Sequence, residues 1–332
     1  MINAPEFWYK NDLIAKLKSF LLFPFSMIWI LVSIIKKNFV KKYKSNLKVV
    51  CIGNLNVGGT GKTPFAIQTY KVLQSLGYKP VFLTRGYKGI QKGPIEVKKF
   101  HDFKDVGDEA LLLKKVGATI VSSNRGLGAK YIECLKKKFD IIIMDDGLQN
   151  YKLEQDIKLL LIDKKILFGN KYCIPAGPLR ETINQGLKKI DAIIFTGDNK
   201  IKDINLNLSR NIQTFDTNLK IKKNININIK QNRFLAFCAL ANPMKFYNTL
   251  KTNNFKVTLI KSFPDHHEYN NEDINKLKQE ANSKNLQLIT TEKDYVKIND
   301  KENEIIVLPI EVNFNRTDED RFKSFLREKL NG

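Results

Sequence analysis

A glycine-rich segment at residues 53–64, GNLNVGGTGKTP, carries the clearest chemical signal in the chain. An apolar run precedes it, and a helical pattern over residues 63–76 follows it. Backbone N–H groups in such a turn approach phosphate closely, and the next helix points its positive N-terminal end at the anion. The amine of Lys62 would reach the β- and γ-phosphates of a nucleotide, and the hydroxyl of Thr63 would ligate magnesium. The segment therefore predicts a nucleoside triphosphatase or a kinase.

This loop departs from the usual G-x-x-x-x-G-K-[ST] spacing at one position. Asn56 stands where the pattern has its first glycine, and Val57 stands where one group of membrane-associated ATPases has an extra lysine. The remaining glycines and the flanking elements still favour a phosphate-binding loop over a chance match. The residues expected to hold the nucleotide are Asn56, Gly58, Gly59, Thr60, Gly61, Lys62 and Thr63.

Two carboxylates, Asp145 and Asp146, end a second apolar run that starts at Phe139. Phosphoryl transfer needs a carboxylate near magnesium, and a strand end would bring one of these two close to the phosphate loop. The alternative is an ordinary turn, because Asp-Gly is a turn signal. The phosphate loop elsewhere in the chain favours the metal-binding interpretation.

Three arginines lie where they could meet an anionic ligand. Arg85 and Arg125 each come after an apolar run, and Arg180 lies in the loop PAGPLRE at 175–181. A guanidinium fork matches the geometry of phosphate oxygens. Each arginine alone could form a surface ion pair, but three at one sheet edge indicate a site for an anionic substrate.

Three other polar segments are open to a structural explanation. Asp108 and Glu109 open a helical pattern, and their spacing alone favours stabilisation of the helix dipole over a role as base or metal ligand. The segment DHHE at 265–268 holds two of the three histidines, either as a proton-sharing pair or as a solvated turn. Turn and helix-cap chemistry accounts for TTEKD at 290–294 without a function.

Apolar runs alternate with helical patterns from residue 47 onward, which predicts an α/β fold. We expect a phosphate-loop NTPase-like, mostly parallel sheet flanked by helices, with a smaller C-terminal α/β domain. The predicted limits are an N-terminal membrane-associating helical segment at 1–46, a core at 47–218, and the smaller domain with its connecting strands at 219–332. In such folds the active site lies at the carboxyl ends of the strands, where the motifs above occur.

The overall composition limits the domain number and the classes of binding partner that we expect. The 332 residues suit two domains, and 56 basic against 34 acidic residues give a net charge of +22. Because Lys, Asn and Ile are frequent throughout, we attribute the charge to a general bias and expect no nucleic-acid partner. The four cysteines are far apart, which predicts neither a disulfide framework nor a zinc site.

The run at 20–35, FLLFPFSMIWILVSII, is uncharged and lies between lysines. It is shorter than the roughly twenty residues of a spanning helix and contains Pro24. An interfacial anchor fits best, with apolar residues in lipid and lysines at anionic headgroups. A spanning helix and a buried core helix stay open as alternatives.

Taken together and in order, these motifs resemble the tetraacyldisaccharide 4'-kinase family, the lipid A 4'-kinases of Gram-negative bacteria. The resemblance covers nearly the whole chain, and its motifs are GNLNVGGTGKTP, TRGY (84–87), GDE (107–109), NR (124–125), DDGLQ (145–149), PAGPLRE, DHH and TTEKD. It implies transfer of the γ-phosphate of ATP to the 4'-hydroxyl of a membrane-embedded, acylated glucosamine disaccharide 1-phosphate, giving lipid IVA. It also implies magnesium and a peripheral or monotopic location on the cytoplasmic face of the inner membrane.

The resemblance further implies roles for particular residues. Asp108 matches the catalytic base and pairs with a histidine of DHH, which we assign to His266, with His267 as the less favoured alternative. Lys62 acts on the phosphates. Asp145 and Asp146 match the acidic pair near the metal, to which Thr63 and Glu181 are added as ligands. Arg85, Arg125 and Glu181 are expected at the nucleotide or the anionic group of the lipid.

One position departs from the family. Asn150 stands where the family usually has a histidine after DDGLQ, so any role of that histidine must be weaker here or taken by another group. The alternative function is a membrane-associated regulatory ATPase of the partitioning type. It would have the phosphate loop but no need of the Asp–His pair.

Overall fold

Two β-sheets with flanking helices make up the described part of this computed structural model, which is residues 4–197, 212–222, 233–298 and 304–331. The strands are β1 (Lys48–Gly53), β2 (Pro80–Thr84), β3 (Ile95–Glu96), β4 (Thr119–Val121), β5 (Ile141–Asp145), β6 (Ile157–Asp163), β7 (Ala192–Thr196), β8 (Gln213–Ile221), β9 (Arg233–Cys238), β10 (Lys256–Ser262), β11 (Gln287–Thr291), β12 (Ile305–Leu308) and β13 (Ile310–Phe314). The helices are α1 (Leu13–Phe39), α2 (Lys62–Ser75), α3 (Phe103–Val106), α4 (Asp108–Lys114), α5 (Arg125–Glu133), α6 (Ile183–Leu187), α7 (Pro243–Thr252), α8 (Asn271–Ser283), α9 (Glu292–Tyr295) and α10 (Arg316–Asn331).

The large sheet has nine strands in the order β13-β8-β7-β6-β1-β5-β2-β4-β3. All neighbours pair in parallel except at the two edges, where β13 and β3 are antiparallel to β8 and β4. The register sets Cys51 of β1 opposite Met144 of β5, so the phosphate loop and the acidic segment leave adjacent strands at the same edge. The predicted α/β class with a mostly parallel sheet is confirmed.

Central strands are buried on both faces, which explains their continuous apolar sequences. One face packs against α2 and α10 through a cluster that includes Phe65, Phe215 and Phe322. The other face packs around Ile142, Met144 and residues of α5. A sheet covered on both sides gives its strand ends a rigid support for a site.

The last strand and helix return to the large sheet. Residues Ile310–Phe314 pair with β8, and the apolar side of α10 enters the same core as Phe65. The described C-terminal residues from 310 onward therefore pack on the large sheet, and the N–H of Ile310 also donates to Glu292 Oε2 of α9 at 3.3 Å. The domain limits drawn from the sequence stay a prediction.

The small sheet is wholly parallel, in the order β10-β9-β11-β12. Helices α7 and α8 pack on it through two apolar clusters. The buried carboxylate of Asp294 accepts hydrogen bonds from the backbone N–H of Ala239 at 3.0 Å and the hydroxyl of Tyr269 at 3.2 Å. These bonds tie the start of α9 to the end of β9. Of the connecting strands expected at the start of the smaller domain, the structure describes residues 219–222, and residues 223–232 lie outside the described residues.

The N-terminal helix α1 is long and apolar enough to cross a membrane, judged by length and composition. Its small residues Ala15, Ser19 and Ser26 face the protein and are buried. Most of its large apolar side chains, including Phe20 and Leu31, are exposed. This exposure disfavours the core-helix alternative and leaves an apolar surface without a protein partner among the described residues.

We predict that Phe322→Ala lowers the free energy of unfolding by about 3–5 kcal/mol, because it leaves a cavity among aromatic rings that belong to the large sheet. Thermal or urea unfolding in detergent measures the change. Ser324→Ala, on the exposed side of the same helix, is the matched control and should stay within about 0.5 kcal/mol. Equal effects of both changes would contradict the packing of α10.

Candidate active site

The phosphate loop connects β1 to the first turn of α2. Gly58 and Gly61 have φ angles of 115° and 87°, which only glycine adopts without strain. A Cβ built at Gly58 or Gly59 would meet nothing within 4 Å, so the loop backbone faces open space. Lys62 Nζ lies 3.2 Å from Asn54 Oδ1 and donates to it. The backbone is therefore arranged to receive an anion at a helix N-terminus.

Six of the residues predicted to hold a nucleotide line the cavity described below; they are Gly58, Gly59, Thr60, Gly61, Lys62 and Thr63. Asn56 does not line it. Its buried amide donates to the backbone oxygen of Leu167 at 2.8 Å, and its backbone pairs with Leu179. The structure thus places Asn56 behind the loop, where it supports the turn and does not face the cavity.

Asp145 is the last residue of β5 and lies against α2. Its Oδ2 accepts a hydrogen bond from Thr63 Oγ1 at 3.0 Å, whereas its buried Oδ1 has no partner. Burial, together with the nearby charges of Glu109 and Asp146, raises the pKa of Asp145 to about 7. A buried carboxylate oxygen without a donor, beside a threonine hydroxyl, fits a hard cation such as magnesium.

Asp146 has a left-handed φ of 52° and turns its carboxylate toward two cations. Its Oδ1 accepts from Arg180 Nη1 at 2.9 Å and lies 3.7 Å from Lys62 Nζ. Burial alone would raise the pKa of Asp146, but Lys62 and Arg180 outweigh burial and lower it below the usual value. The pKa values of the two neighbouring aspartates are therefore shifted in opposite directions.

Glu181 lies in a polar group beside this acidic pair. It accepts from Lys189 Nζ at 2.8 and 2.9 Å through its two oxygens, and Gln149 Nε2 donates to Oε1 at 2.8 Å. It lines the cavity, although Lys189 already balances its charge. Its predicted roles at metal and nucleotide stay predictions.

Arg125 and Arg85 both line the cavity but differ in exposure. The Arg125 guanidinium is buried and donates to the backbone oxygen of Ser122 at 2.6 Å. Burial lowers its pKa to about 10, in spite of the nearby Asp145 and Asp146, so it remains a cation at neutral pH. Arg85 is exposed at the carboxyl end of β2. Both positions suit the neutralisation of an anionic ligand.

Asp108, at the start of α4, meets His266 from the loop after β10. Asp108 Oδ2 lies 2.9 Å from His266 Nδ1, and Asp108 Oδ1 accepts from the backbone N–H of Glu109 at 2.8 Å. Both side chains are more than nine-tenths buried. Burial alone would raise the pKa of Asp108, but the His266 bond and the charge of Lys293 lower it below the usual value. The predicted pair thus exists as a buried carboxylate and imidazole that join the two sheets.

His267 faces elsewhere. Its Nε2 lies 2.9 Å from Asp273 Oδ2, and its ring stacks on Phe263 within the small-sheet unit. The choice of His266 over His267 as the partner of Asp108 therefore agrees with the geometry.

Lys293 is a residue that the sequence analysis missed. Its Nζ lies 3.2 Å from His266 Nε2, 3.5 Å from Glu109 Oε1 and 3.9 Å from Asp108 Oδ2. Those three acceptors have atoms within 4.8 Å of one another, but the ammonium already lies among them, so we assign no metal there. The available signal was the position of TTEKD at the carboxyl end of a strand, the same position that marked the other motifs.

A cavity of about 1520 Å³ is lined by most of these groups, although Asn56, Asp108 and His267 are not among its lining residues. The large sheet contributes the phosphate loop and the acidic pair, and the small sheet contributes His266 and Lys293. Trp29 and Lys36 of α1 line it as well, so the cavity extends to the apolar helix. The phosphate loop, the carboxylate pair, several cations and the histidine of the Asp–His pair thus line one cavity.

This fold and this site define a phosphate-loop nucleotide-binding enzyme of the phosphoryl-transfer class. The family model described as "Tetraacyldisaccharide-1-P 4'-kinase" (LpxK) matches residues 18–331. The chain belongs to that family, as its motifs predicted.

Similar proteins agree with this assignment. The tetraacyldisaccharide 4'-kinase of Rickettsia conorii (strain ATCC VR-613 / Malish 7) is 36% identical over 314 residues, which cover 95% of each chain. That of Rickettsia felis (strain ATCC VR-1525 / URRWXCal2) is 35% identical and covers 95% of this chain and 94% of the relative. The crystal structure of "apo" form LpxK from Aquifex aeolicus in complex with ATP superposes with a TM-score of 0.75 at 26% identity, over 94% of this chain and 99% of that one.

We predict that Asp145→Asn stabilises the magnesium-free protein at alkaline pH. The folded-state pKa of about 7 exceeds the ordinary aspartate value near 4, so the unfolded chain loses this proton first. Stability therefore falls between about pH 4 and pH 7 and stays lower above pH 7, and the asparagine variant escapes this loss. In thermal unfolding with a chelator, its midpoint should exceed that of wild type at pH 8 and differ less at pH 5.

Asp320→Asn is the control for this comparison, because Asp320 is 84% exposed and should move neither midpoint appreciably. A difference between Asp145→Asn and wild type that is the same at both pH values would contradict the raised pKa of Asp145.

Proposed function

We propose that this chain transfers the γ-phosphate of ATP to the 4'-hydroxyl of tetraacyldisaccharide 1-phosphate and forms lipid IVA in lipid A biosynthesis. The observation that carries the proposal is the buried Asp108–His266 bond, whose histidine lines the same cavity as the phosphate loop. A regulatory ATPase has no need of such a pair. Family membership and the names of the relatives supply the acceptor.

The reaction requires three contributions that the described residues can make. The acceptor oxygen bonds to the γ-phosphorus as the bond to the bridging oxygen of ADP breaks, and the hydroxyl proton passes to Asp108. His266 orients the carboxylate and keeps it ionised. Lys62, Arg180, Arg125 and Arg85 offset the charge on the phosphates.

Magnesium fits the oxygen donors beside the phosphate loop. Thr63, Asp145 and Asp146 would hold it, and Glu181 is a further candidate whose charge Lys189 already balances. A bound magnesium would neutralise charge on the β- and γ-phosphates. It would also give the buried Oδ1 of Asp145, which has no hydrogen-bond partner, a cation to bind.

The base is divided between the two sheets, because Asp108 belongs to the large-sheet part and His266 to the small-sheet part. A motion that separates the sheets would break their bond and open the cavity. Closure would restore the pair and exclude water, which limits futile hydrolysis of ATP.

Asn150 lines the cavity where the family usually has a histidine. Its Oδ1 accepts from the backbone N–H of Lys152 at 3.0 Å, so the side chain stabilises its own turn. An amide does not titrate at physiological pH, and this position therefore carries no proton in the proposed reaction.

Helix α1 is proposed to lie on or in the cytoplasmic face of the bacterial inner membrane. Its exposed apolar side chains would enter the lipid, and nearby lysines would meet anionic headgroups. The cavity lining at Trp29 and Lys36 would then open beside the bilayer, where an acylated acceptor resides. The exposed apolar side chains of α1 include Leu13, Ile14, Leu17, Phe20, Leu21, Phe25, Ile28 and Leu31.

We predict that His266→Ala lowers the rate of lipid phosphorylation by about 10²–10⁴-fold, because the carboxylate base loses the group that orients it. The assay uses labelled ATP, magnesium and detergent-dispersed tetraacyldisaccharide 1-phosphate. His267→Ala is the matched control and should retain most of the activity, because His267 contacts Asp273 and not Asp108. ATP hydrolysis that is independent of the lipid, with no labelled lipid formed, would instead favour the regulatory ATPase.

We further predict that Phe20→Glu combined with Leu31→Glu weakens binding to phosphatidylglycerol-containing vesicles by at least about 100-fold. Each apolar side chain contributes roughly 1.5–3 kcal/mol when it leaves water. Flotation with vesicles measures the bound fraction. Phe100→Glu alters a side chain that is 80% exposed outside the helix and should bind like wild type. Equal binding by all three proteins would contradict the proposed anchor.

A further inference from the structure

An ion pair between Asp163 and Lys245 joins the two sheets at a second place, apart from the Asp108–His266 contact. Asp163 is the last residue of β6, and its buried carboxylate pairs through Oδ2 with Nζ of Lys245 in the first turn of α7. Asp163 Oδ1 accepts from the backbone N–H of Lys165 at 2.9 Å. Lys245 also lines the cavity. The pair therefore connects the large sheet to a helix of the small-sheet unit.

The strand order places the two contacts on opposite sides of the phosphate loop. Strand β6 adjoins β1, which leads into the loop, whereas β5 and β2 follow on the other side of β1. His266 packs edge-on against the ring of Tyr87, which lies shortly after β2, with 5.2 Å between the ring centroids. The two sheets are thus bridged once beside β6 and once beside β2, with the phosphate loop between the two bridges.

The chain passes between the two sheets along one edge of the large sheet. It leaves the large sheet after β8 and returns from β12 to β13 through Pro309. Strands β8 and β13 pair with each other, with Ile221 opposite Ile310, and the N–H of Lys222 donates to the oxygen of Pro309 at 3.1 Å. A rotation of one sheet relative to the other would therefore turn about this edge.

The two bridges lie at different distances from this edge. Strand β6 is two strands from β8, and β2 is five strands from it. Because neighbouring strands lie about 4.8 Å apart, the bridges are about 10 Å and about 24 Å from the edge. A given rotation thus separates Asp108 from His266 more than twice as far as it separates Asp163 from Lys245. The ion pair can stay closed during an opening that breaks the Asp108–His266 bond.

We infer that Lys245 and Asp163 are positioning residues for the Asp108–His266 contact. Their ion pair keeps the small sheet aligned with the phosphate loop, so that His266 returns to Asp108 when the cavity closes. Neither residue accepts the hydroxyl proton, because both act through the alignment of the sheets. The inference goes beyond the proposed function, since that alignment can be measured without a lipid acceptor. Only its effect on lipid phosphorylation rests on the proposed function.

A short path connects Lys245 to His266. Helix α7 begins at Pro243 and follows closely after β9. Between them lies Ala239, whose backbone oxygen accepts from the N–H of His266 at 3.3 Å. On the large-sheet side, Asp163 ends the strand that pairs with β1. The ion pair therefore connects the support of His266 to the strand beside the phosphate loop.

The first test measures the distance between the two sheets in the full chain, in detergent micelles and without nucleotide. One spin label is placed on Cys134, which is exposed while the other three cysteines are buried, and a second on Gln279→Cys, at an exposed position of α8. Pulsed electron paramagnetic resonance should give a longer and broader distance distribution for Lys245→Met than for wild type. Lys245→Arg, which keeps a cation, should resemble wild type. Lys251→Met, at an exposed lysine of the same helix, is the matched control.

Asp163→Asn tests the partner of the ion pair. It keeps an oxygen that can accept from the N–H of Lys165 but removes the negative charge. The distance distribution should change as it does in Lys245→Met. The combined variant should show no further change, because both substitutions remove the same interaction. Thermal unfolding of each labelled protein ensures that the distances are measured on folded chains.

Lipid phosphorylation by the same variants gives the second readout. Lys245→Met should lower kcat by at least about fivefold, because fewer molecules have Asp108 in contact with His266. Lys245→Arg should recover most of this loss, and Lys251→Met should match wild type. A variant that merely unfolds more easily would show neither a changed distance distribution in folded protein nor this recovery.

Three results would overturn the inference. They are a Lys245→Met distance distribution equal to that of wild type, a further change when Asp163→Asn is added to Lys245→Met, and the expected distances with an unchanged kcat. A wild-type chain that phosphorylates no lipid, and whose variants still give the expected distances, would contradict the proposed function and support the alignment of the sheets by this ion pair.

Discussion

The hydrogen bond between Asp108 and His266 is the contact on which the site depends, because it is made across the two sheets. Asp108 starts a helix that follows Gly107, a residue with a left-handed φ of 85° that packs closely on the backbone of Tyr87. His266 comes from a loop fixed to the small sheet. Asp108 alone would not be a competent base in a buried place, because burial favours the protonated carboxyl. The two sheets must therefore lie as the structure has them for the carboxylate to stay ionised.

The loop at 170–181 links the membrane-seeking helix to the phosphate loop. Ser26 Oγ donates to the backbone oxygen of Cys173 at 2.8 Å, and Trp29 Nε1 donates to that of Arg180 at 2.9 Å. On the other side of this loop, the backbone oxygen of Pro178 accepts a hydrogen bond from the N–H of Val57 at 2.8 Å. The N–H of Arg180 donates to the backbone oxygen of Leu55, also at 2.8 Å. A continuous set of hydrogen bonds thus joins α1 to the nucleotide site, and Arg180 also neutralises Asp146.

Local patterns predicted most of the fold, because each central strand is a short apolar run and most helices have a clear period and cap. The sequence did not predict that β13 and α10 pack on the large sheet. The pairing of Ile310–Phe314 with β8 depends on contacts between residues that are distant in sequence. In the site, Lys62, Thr63 and the acidic pair could be placed from a strand-to-turn rule. The pairing of Asp108 with His266 required the family resemblance, and Lys293 was hidden by a cap that explains its motif locally.

The central claim is that Asp108 and His266 act as one unit in phosphoryl transfer. Single-turnover rates for Asp108→Asn, His266→Ala and the double variant form a cycle that measures their coupling. A shared role predicts that the double variant is about as slow as the slower single variant. Losses that multiply, so that the double variant is slower by the product of both factors, would show two independent residues and contradict the account.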